Sequence, residues 1–498
     1  MPLRPTPRRL TFLLSTFFFL LLPAAAAAAA AAERPNVLFL AVDDLRPDLG
    51  AYGVAHARTP ALDAFARTAR AFTHHYVQVP TCGASRTALL RGRYPTVAAH
   101  VGNNGIRDTH TDWGARSLPA VFQAAGYRTL SLGKISHYPG NRTGKHWAEG
   151  PEELPGVWER SWIPAGPWTS PEAIMHGYAG GVARTPGKSP PFQIHDGPDE
   201  SFPDAWVAAD AVTTLRALAA EKKPWFFGVG FFKPHLPFAA PKRWHDLHPA
   251  GSIPDLPPAA AAKPAWPSGW HASGEFRGNY GHEPGRDPDT DPDYARLMRR
   301  AYAASVSYMD AQLGRVLAAL RETGLDRNTV VVVWSDHGFH LGEHAIWGKH
   351  CLYEPALRSP LLIRTPGLRQ PGVASSAVVE TVDLFPTLAE LCGLAAPADL
   401  DGRSLRPQLA DPAAPAVKPA HGFWSNGDRT IRTDRWRLIA DRTGTRLELF
   451  DLAADPLETR NLAADHPAVA RDLLARLEKV PHPAATPAQK KAKAKTAP

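Results

Sequence analysis

The chain has 498 residues, 44% of them apolar, and a formal net charge of +8. That length allows one large domain or two, and that apolar share is ordinary for a globular protein with a full core. Three of the eight net charges lie in the first 32 residues (Arg4, Arg8, Arg9) and four after Pro481 (Lys490, Lys491, Lys493, Lys495), so the body carries about one and has no global field for DNA or RNA.

The first 32 residues pass from arginines through an almost unbroken apolar run, Leu10 to Leu22, into an alanine tract. That is the order of a secretory signal peptide. A membrane anchor is the rival reading, but the run falls short of the ~20 residues a span needs unless the alanines are counted. Arg8 and Arg9 hint at twin-arginine export, although the rest of that pattern is poor. The expectation is an exported protein, periplasmic or extracellular, with no stable membrane insertion once the signal is removed.

"NVLFLAV", residues 36 to 42, is a continuous apolar run that suits a buried parallel strand. It stops at Asp43 and Asp44. Thr59 and Pro60 look like a helix N-cap and first helical residue. Ser117 opens another helix, which ends at Gly126. "YRTLSLG" reads as a strand running into Lys134 and His137. A helix around residues 203 to 220 leads to the strand "WFFGVGFF", which runs into Lys233, Pro234 and His235. A long helix carries Tyr302, Val306, Met309, Leu313, Val316 and Leu320 at helical spacing and stops near Gly324. "TVVVVW" then runs into Asp336 and His337.

Alternating strands and helices predict an α/β fold with a large, mostly parallel sheet flanked by helices. Four of its strands end in polar clusters, and in open α/β sheets the active crevice lies at the carboxyl ends of strands. The four clusters, far apart in sequence, are therefore expected to meet. After residue 380, "RTIRTD", "WRLIAD" and "RLELFDL" read as short antiparallel strands, followed by a helix around 466 to 479. The expected organisation is a signal over 1–32, a catalytic domain over 33–380, a smaller C-terminal α+β subdomain over 381–480, and a basic disordered tail over 481–498. Two long stretches, about 139 to 200 and 238 to 295, are rich in Pro, Gly, Trp and Asp. They are expected to shape a substrate mouth.

Adjacent carboxylates after a buried strand, Asp43 and Asp44, are costly unless something neutralises them, and a hard divalent cation does so with oxygen ligands. Asp336 and His337 at another strand end can complete such a site. The bland alternative is a turn cap. Only three cysteines are present, Cys82, Cys351 and Cys392. The count is odd and no disulfide framework appears, so at least one is unpaired or chemically changed. Cys82 heads a helical stretch, where an anionic group is favoured. It reads as a structural thiol, a nucleophile or a modified residue. The spacing Cys82 to Arg86 puts both on one face of a turn.

"CGASR…GRYP" resembles the signature of the type I sulfatases of the alkaline phosphatase superfamily. The resemblance extends from residue 35 to about 465 through "RPNVLFLAVDDLRPDLGAYG", "TPALDAFA", "LGKISHYPG", "FFKPHLPF", "SDHGFHLGEHAIWGKH" and "LFDLAADPLETRNLA". It is most similar to the iduronate 2-sulfatase branch, whose spacing from Lys134 to His137 it shares. One departure is Ala84, where proline is commoner in the family.

The resemblance implies a sulfuric ester hydrolase whose Cys82 is oxidised to Cα-formylglycine (3-oxoalanine) by a formylglycine-generating enzyme. One hydroxyl of the hydrated aldehyde attacks sulfur, and the other then expels sulfate. It implies one Ca²⁺ held by Asp43, Asp44, Asp336, His337 and residue 82. Arg86 and Lys134 hold the hydroxyls and the sulfate charge, and His137 is the base for sulfate expulsion. His235 and Lys349 bind sulfate and protonate the leaving oxygen. His340, His344 and His350 are left as supporting or surface residues, and Cys351 and Cys392 as structural thiols. The implied substrate is a sulfated carbohydrate. The alternatives are a phosphodiesterase or phosphonate monoester hydrolase of the same superfamily, or a carbohydrate-binding pseudoenzyme. Asn141-Arg142-Thr143 is a glycosylation sequon, meaningful only in a eukaryotic secretory pathway.

Overall fold

A computed structural model describes Met1 and residues 34–142, 151–164, 166–265 and 269–484. The expected signal, apart from Met1, and the tail beyond residue 484 lie outside these residues. So do Thr143, the last residue of the sequon, and part of the first long stretch.

Eight strands form the main sheet: β1 (Asn36–Val42), β2 (Arg70–Tyr76), β3 (Arg128–Gly133), β4 (Arg160–Trp162), β6 (Trp225–Phe231), β8 (Thr329–Ser335), β11 (Leu361–Arg364) and β12 (Ser375–Glu380). Their order is β12-β2-β11-β8-β1-β6-β3-β4. β11 runs antiparallel to β8 and β2, and the other pairs are parallel. Two further pairs, β5 (Phe192–His195) with β7 (Phe238–Pro241) and β9 (His340–Leu341) with β10 (Trp347–Gly348), lie in the connections. A separate antiparallel sheet holds β13 (Ala420–Phe423), β14 (Arg429–Arg432), β15 (Trp436–Ala440) and β16 (Leu447–Asp451) in sequence order.

The continuous apolar run of β1 follows from burial on both faces. Leu38, Leu40 and Val42 belong to a core with Val207, Ala211 and Leu215 of helix Pro203–Leu218 and Tyr302, Met309 and Leu313 of helix Pro292–Glu322. Val37, Phe39 and Ala41 face the other way, toward Leu118, Phe122, Leu384 and Leu388 of two shorter helices. Each such buried Val, Leu, Phe or Met side chain contributes roughly 1.5–3 kcal/mol of transfer free energy. The 31-residue helix starts where the Asp291 side chain accepts a hydrogen bond from the Tyr294 N–H, with Pro292 in its first turn. It gives way to Gly324 at φ 71°.

The four strands that end in polar residues, β8, β1, β6 and β3, are consecutive neighbours at the centre of the sheet and mutually parallel. Their carboxyl ends therefore share one edge. Among the described residues no helix is long and apolar enough to cross a membrane.

Candidate active site

Helix Cys82–Arg91 delivers Cys82 and Arg86 to that edge, and every residue of the helix is buried. Its start is packed tightly. The Gly83 N–H donates to Asn103 Oδ1 at 3.0 Å, and a Cβ on Gly83 would stand 2.1 Å from the Asn103 carbonyl oxygen. This is why the residue after Cys82 is glycine. At the ends of β3 and β6, Gly133 has φ 73°, and a Cβ on Gly230 would lie 2.1 Å from the Lys134 carbonyl oxygen. The close approach lets the Lys134 N–H donate to the Gly230 carbonyl at 3.1 Å, which sets Lys134 over the edge.

Asp43, Asp44, Asp336 and His337 have no exposed surface, and Cys82 is 3% exposed. The Cys82 Sγ lies 3.3 Å from His337 Nε2, 3.8 Å from Asp44 Oδ1 and 3.4 Å from Lys349 Nζ. Asp43, Cys82, Asp336 and His337 present ligand atoms all within 4.8 Å of one another, and so do Asp43, Asp44, Cys82 and His235. Asp44 sits at φ 57°, a strained value for a residue with a side chain. Its N–H donates to Asp336 Oδ1 (3.1 Å), and its carbonyl accepts from the Tyr302 hydroxyl (2.8 Å).

Three buried cations face the three buried carboxylates. Arg86 donates to Asp336 through Nε at 3.0 Å and reaches Asp43 at 3.4 Å. It also donates to the carbonyls of Lys134 and Ile135 and lies over the Trp334 ring, 5.8 Å from its centroid. Lys134 Nζ is paired with Asp43. Lys349 Nζ donates to both carboxylate oxygens of Asp44, at 2.8 and 2.9 Å. Burial opposes ionisation of Asp43, but Lys134, His235 and Arg86 together hold it well below the usual carboxylate range. Burial raises Asp336, with His337 opposing the rise and Asp43 adding to it. Burial works against the charge on Lys349, yet Asp44 and the other neighbouring anions keep it well above its ordinary value.

The Cys82 thiol behaves differently from what a helix N-terminus alone would give. Burial first, then Asp43, push it well above the ordinary value, and Lys134 and Lys349 oppose only in part. This pocket does not favour a thiolate. All three cysteines are buried, and none is joined in a disulfide.

His137, three residues beyond Lys134, is buried beside Tyr138, with ring centroids 4.8 Å apart. Burial, reinforced by the Lys134 charge, keeps it well below the usual imidazole range. Its Nδ1 has no hydrogen-bond partner among the described residues. His235 follows β6, and its Nδ1 donates to the Leu236 carbonyl at 2.7 Å. All six residues expected to be catalytic and all five expected to hold metal thus stand along the one edge. His340 and His344 are buried, in ring contact with each other, and His344 stacks on Tyr353 at 4.3 Å.

The structure adds residues that motif reading missed. Glu275, on the short helix Gly274–Asn279, has Oε1 3.4 Å from His235 Nε2 and Oε2 3.5 Å from Lys349 Nζ. His176 lies 5.9 Å from the His235 ring and bonds the Tyr280 hydroxyl at 3.2 Å. Behind them, Asp204 accepts from the Phe232 and Lys233 N–H groups. Glu275, His176 and Tyr280 all come from the two long Pro- and Gly-rich stretches, whose only signal was their length.

The family model described as Sulfatase matches residues 35–394. A second, described as the C-terminal region of N-sulphoglucosamine sulphohydrolase, matches residues 342–482. The chain is 32% identical to iduronate 2-sulfatase of Mus musculus over 396 residues, covering 73% of this chain and 69% of that protein. It is 30% identical to a sulfatase of Formosa agariphila over 460 residues, covering 86% and 83%. Among solved structures it superposes on a phosphonate monoester hydrolase of Agrobacterium radiobacter with TM-score 0.71 at 24% identity, covering 90% and 95%. A 2-O GAG sulfatase superposes with TM-score 0.65 at 22% identity, covering 91% and 95%. At these identities the structural likenesses establish the fold.

Proposed function

The chain belongs to the sulfatase family of sulfuric ester hydrolases, and we propose that it removes sulfate from a sulfated sugar in the manner of iduronate 2-sulfatase. The observation that carries this reading is the meeting of Cys82, three buried carboxylates and three buried cations at one sheet edge.

In this reading Cys82 is converted to formylglycine by a formylglycine-generating enzyme, and Asp43, Asp44, Asp336, His337 and residue 82 hold Ca²⁺. The donor set suits that ion: three of the five are carboxylates, all five are buried, and Asp43, Cys82, Asp336 and His337 bring ligand atoms within 4.8 Å of one another, as Asp43 and Asp44 do with Cys82. Bound there, Ca²⁺ supplies Lewis-acid polarisation of the sulfate oxygens. The hydrated aldehyde would supply one hydroxyl as the nucleophile and a second whose loss of a proton expels the sulfate carried on the first.

The chain's own residues do the rest. Arg86, Lys134 and Lys349 present fixed positive charge in a water-poor pocket, where it is worth far more than in bulk solvent. Lys349 Nζ, 3.4 Å from the Cys82 Sγ, is within reach of an oxygen held beside residue 82. In this reading His137, whose Nδ1 has no hydrogen-bond partner among the described residues, takes the proton that accompanies sulfate release. His235 and Lys349 stand where they can donate to the departing sugar oxygen. We propose that the protein is exported by the segment at residues 1–32, which would deliver it to extracellular or periplasmic polysaccharide. We propose a catalytic domain over residues 33–380 and a C-terminal subdomain over 381–480.

The test is protein made in a host that matures sulfatases, offered a panel of sulfated sugars alongside phosphate and phosphonate monoesters. Sulfate release that a chelator abolishes and Ca²⁺ restores is the expected result. Faster hydrolysis of phosphonate monoesters than of any sulfate ester would contradict the reading.

A further inference from the structure

Glu275 touches both residues assigned to the leaving-group side, yet it belongs to none of the strand-end clusters. We propose that Glu275 is a positioning residue that holds His235 and Lys349 together where the departing oxygen takes its proton. This inference rests on the sulfatase reading above.

The geometry is specific. His235 Nδ1 faces the Leu236 carbonyl at 2.7 Å, and Nε2 faces Glu275 Oε1 at 3.4 Å. Both ring nitrogens therefore face oxygen acceptors, which fixes the plane of the ring. Lys349 Nζ is shared between Asp44 at 2.8 Å and Glu275 Oε2 at 3.5 Å. Oε2 has almost no contact with solvent, and among the described residues it accepts no hydrogen bond. It is thus a buried acceptor that faces the Lys349 ammonium. Burial alone would raise the Glu275 carboxyl, but Lys349 and His235 draw it well below the usual range. His350 adds to that pull, and the His176 ring, itself packed edge-on against Tyr280, lies 5.9 Å from the His235 ring.

A carboxylate in this place restrains two flexible donors at once. It fixes the His235 ring from its Nε2 edge, and it anchors Lys349 against being drawn wholly onto Asp44. Without it, binding of the sulfate group through Arg86 and Lys134 is retained, whereas aligned proton delivery to the leaving oxygen is lost. The consequence depends on the leaving group. A good leaving group departs without help, and a poor one needs the proton.

The experiment compares Glu275→Gln, Glu275→Asp and the parent protein on aryl sulfates graded from 4-nitrophenyl sulfate to phenyl sulfate. Formylglycine content, bound calcium and Tm are measured on each, and rates are expressed per matured site. For Glu275→Gln the expected loss in kcat is under about 3-fold on 4-nitrophenyl sulfate and about 100-fold on phenyl sulfate, the size of a lost general-acid contribution. Glu275→Asp is expected to recover part of the latter, and it carries the same comparison should Glu275→Gln not fold. An equal loss across the series, as a merely structural carboxylate would give, overturns the proposal, and so does no loss on any ester. A parent protein that matures fully at residue 82 yet cleaves no aryl or sugar sulfate overturns the hydrolase reading and this inference together.

Discussion

His75 occupies β2 with no exposed surface. Its Nδ1 lies 3.1 Å from the Ser359 carbonyl and its Nε2 3.0 Å from the Thr381 hydroxyl. Burial pushes it down to about 4, with the Ser359 bond opposing only in part. Between its unfolded value near 6.5 and that folded value, the unfolded chain binds the proton and the folded chain does not, so stability falls as pH falls through this window. His75→Gln keeps polar contacts and removes the titration. Urea unfolding at pH 6.5 and 4.5 is expected to show a shallower acid loss in the variant, by about 2 kcal/mol. Parallel pH profiles would contradict this reading of His75. The same single-residue logic explains Cys82. The environment that raises its thiol makes a resting thiolate unfavourable, which weakens the cysteine-nucleophile alternative.

At the level of elements, the site depends on how closely β3 and β6 meet. Gly133 and Gly230 let the two strand ends touch, and that contact aims Lys134 at Asp43. Gly230→Ala must push the strands apart, because its Cβ would stand 2.1 Å from the Lys134 carbonyl oxygen. The expected outcome is destabilisation of about 1–3 kcal/mol, with a fall in kcat/KM larger than the lost folded fraction explains. Retention of both full activity and the parental unfolding midpoint would show that the contact is dispensable.

The elements also show what the sequence made legible. β1, β6 and β8 are legible because strands buried on both faces read as apolar runs, β3 is legible as a short segment after the Gly126 helix end, and the polar ends of all four mark the site. β2 was not visible. "RAFTHHY" carries Arg70, His74 and His75, and Arg70 is buried because it donates to main-chain carbonyls of residues 369, 370, 408 and 409. Such tertiary satisfaction of a polar side chain leaves no local pattern. β11 and β13, four residues each, are too short to show a period. Glu275 was hidden for a related reason. It lies in a Pro- and Gly-rich stretch with no period, and only the folded chain brings it to His235 and Lys349.

For the whole molecule, the central claim is that a sheet edge built from four distant segments is a sulfate-ester site whose nucleophile is made from Cys82. Every feature of the edge fits that claim: buried oxygen donors, compensating cations, and a side chain at residue 82 that touches His337, Asp44 and Lys349. The most direct measurement is mass spectrometry of the tryptic peptide Ala71–Arg86 from protein made in a host that matures other sulfatases. The account predicts that sulfur and two hydrogens at residue 82 are exchanged for one oxygen, the signature of thiol becoming aldehyde. An unmodified thiol at full occupancy, in protein that nonetheless turns over sulfate esters, would contradict it.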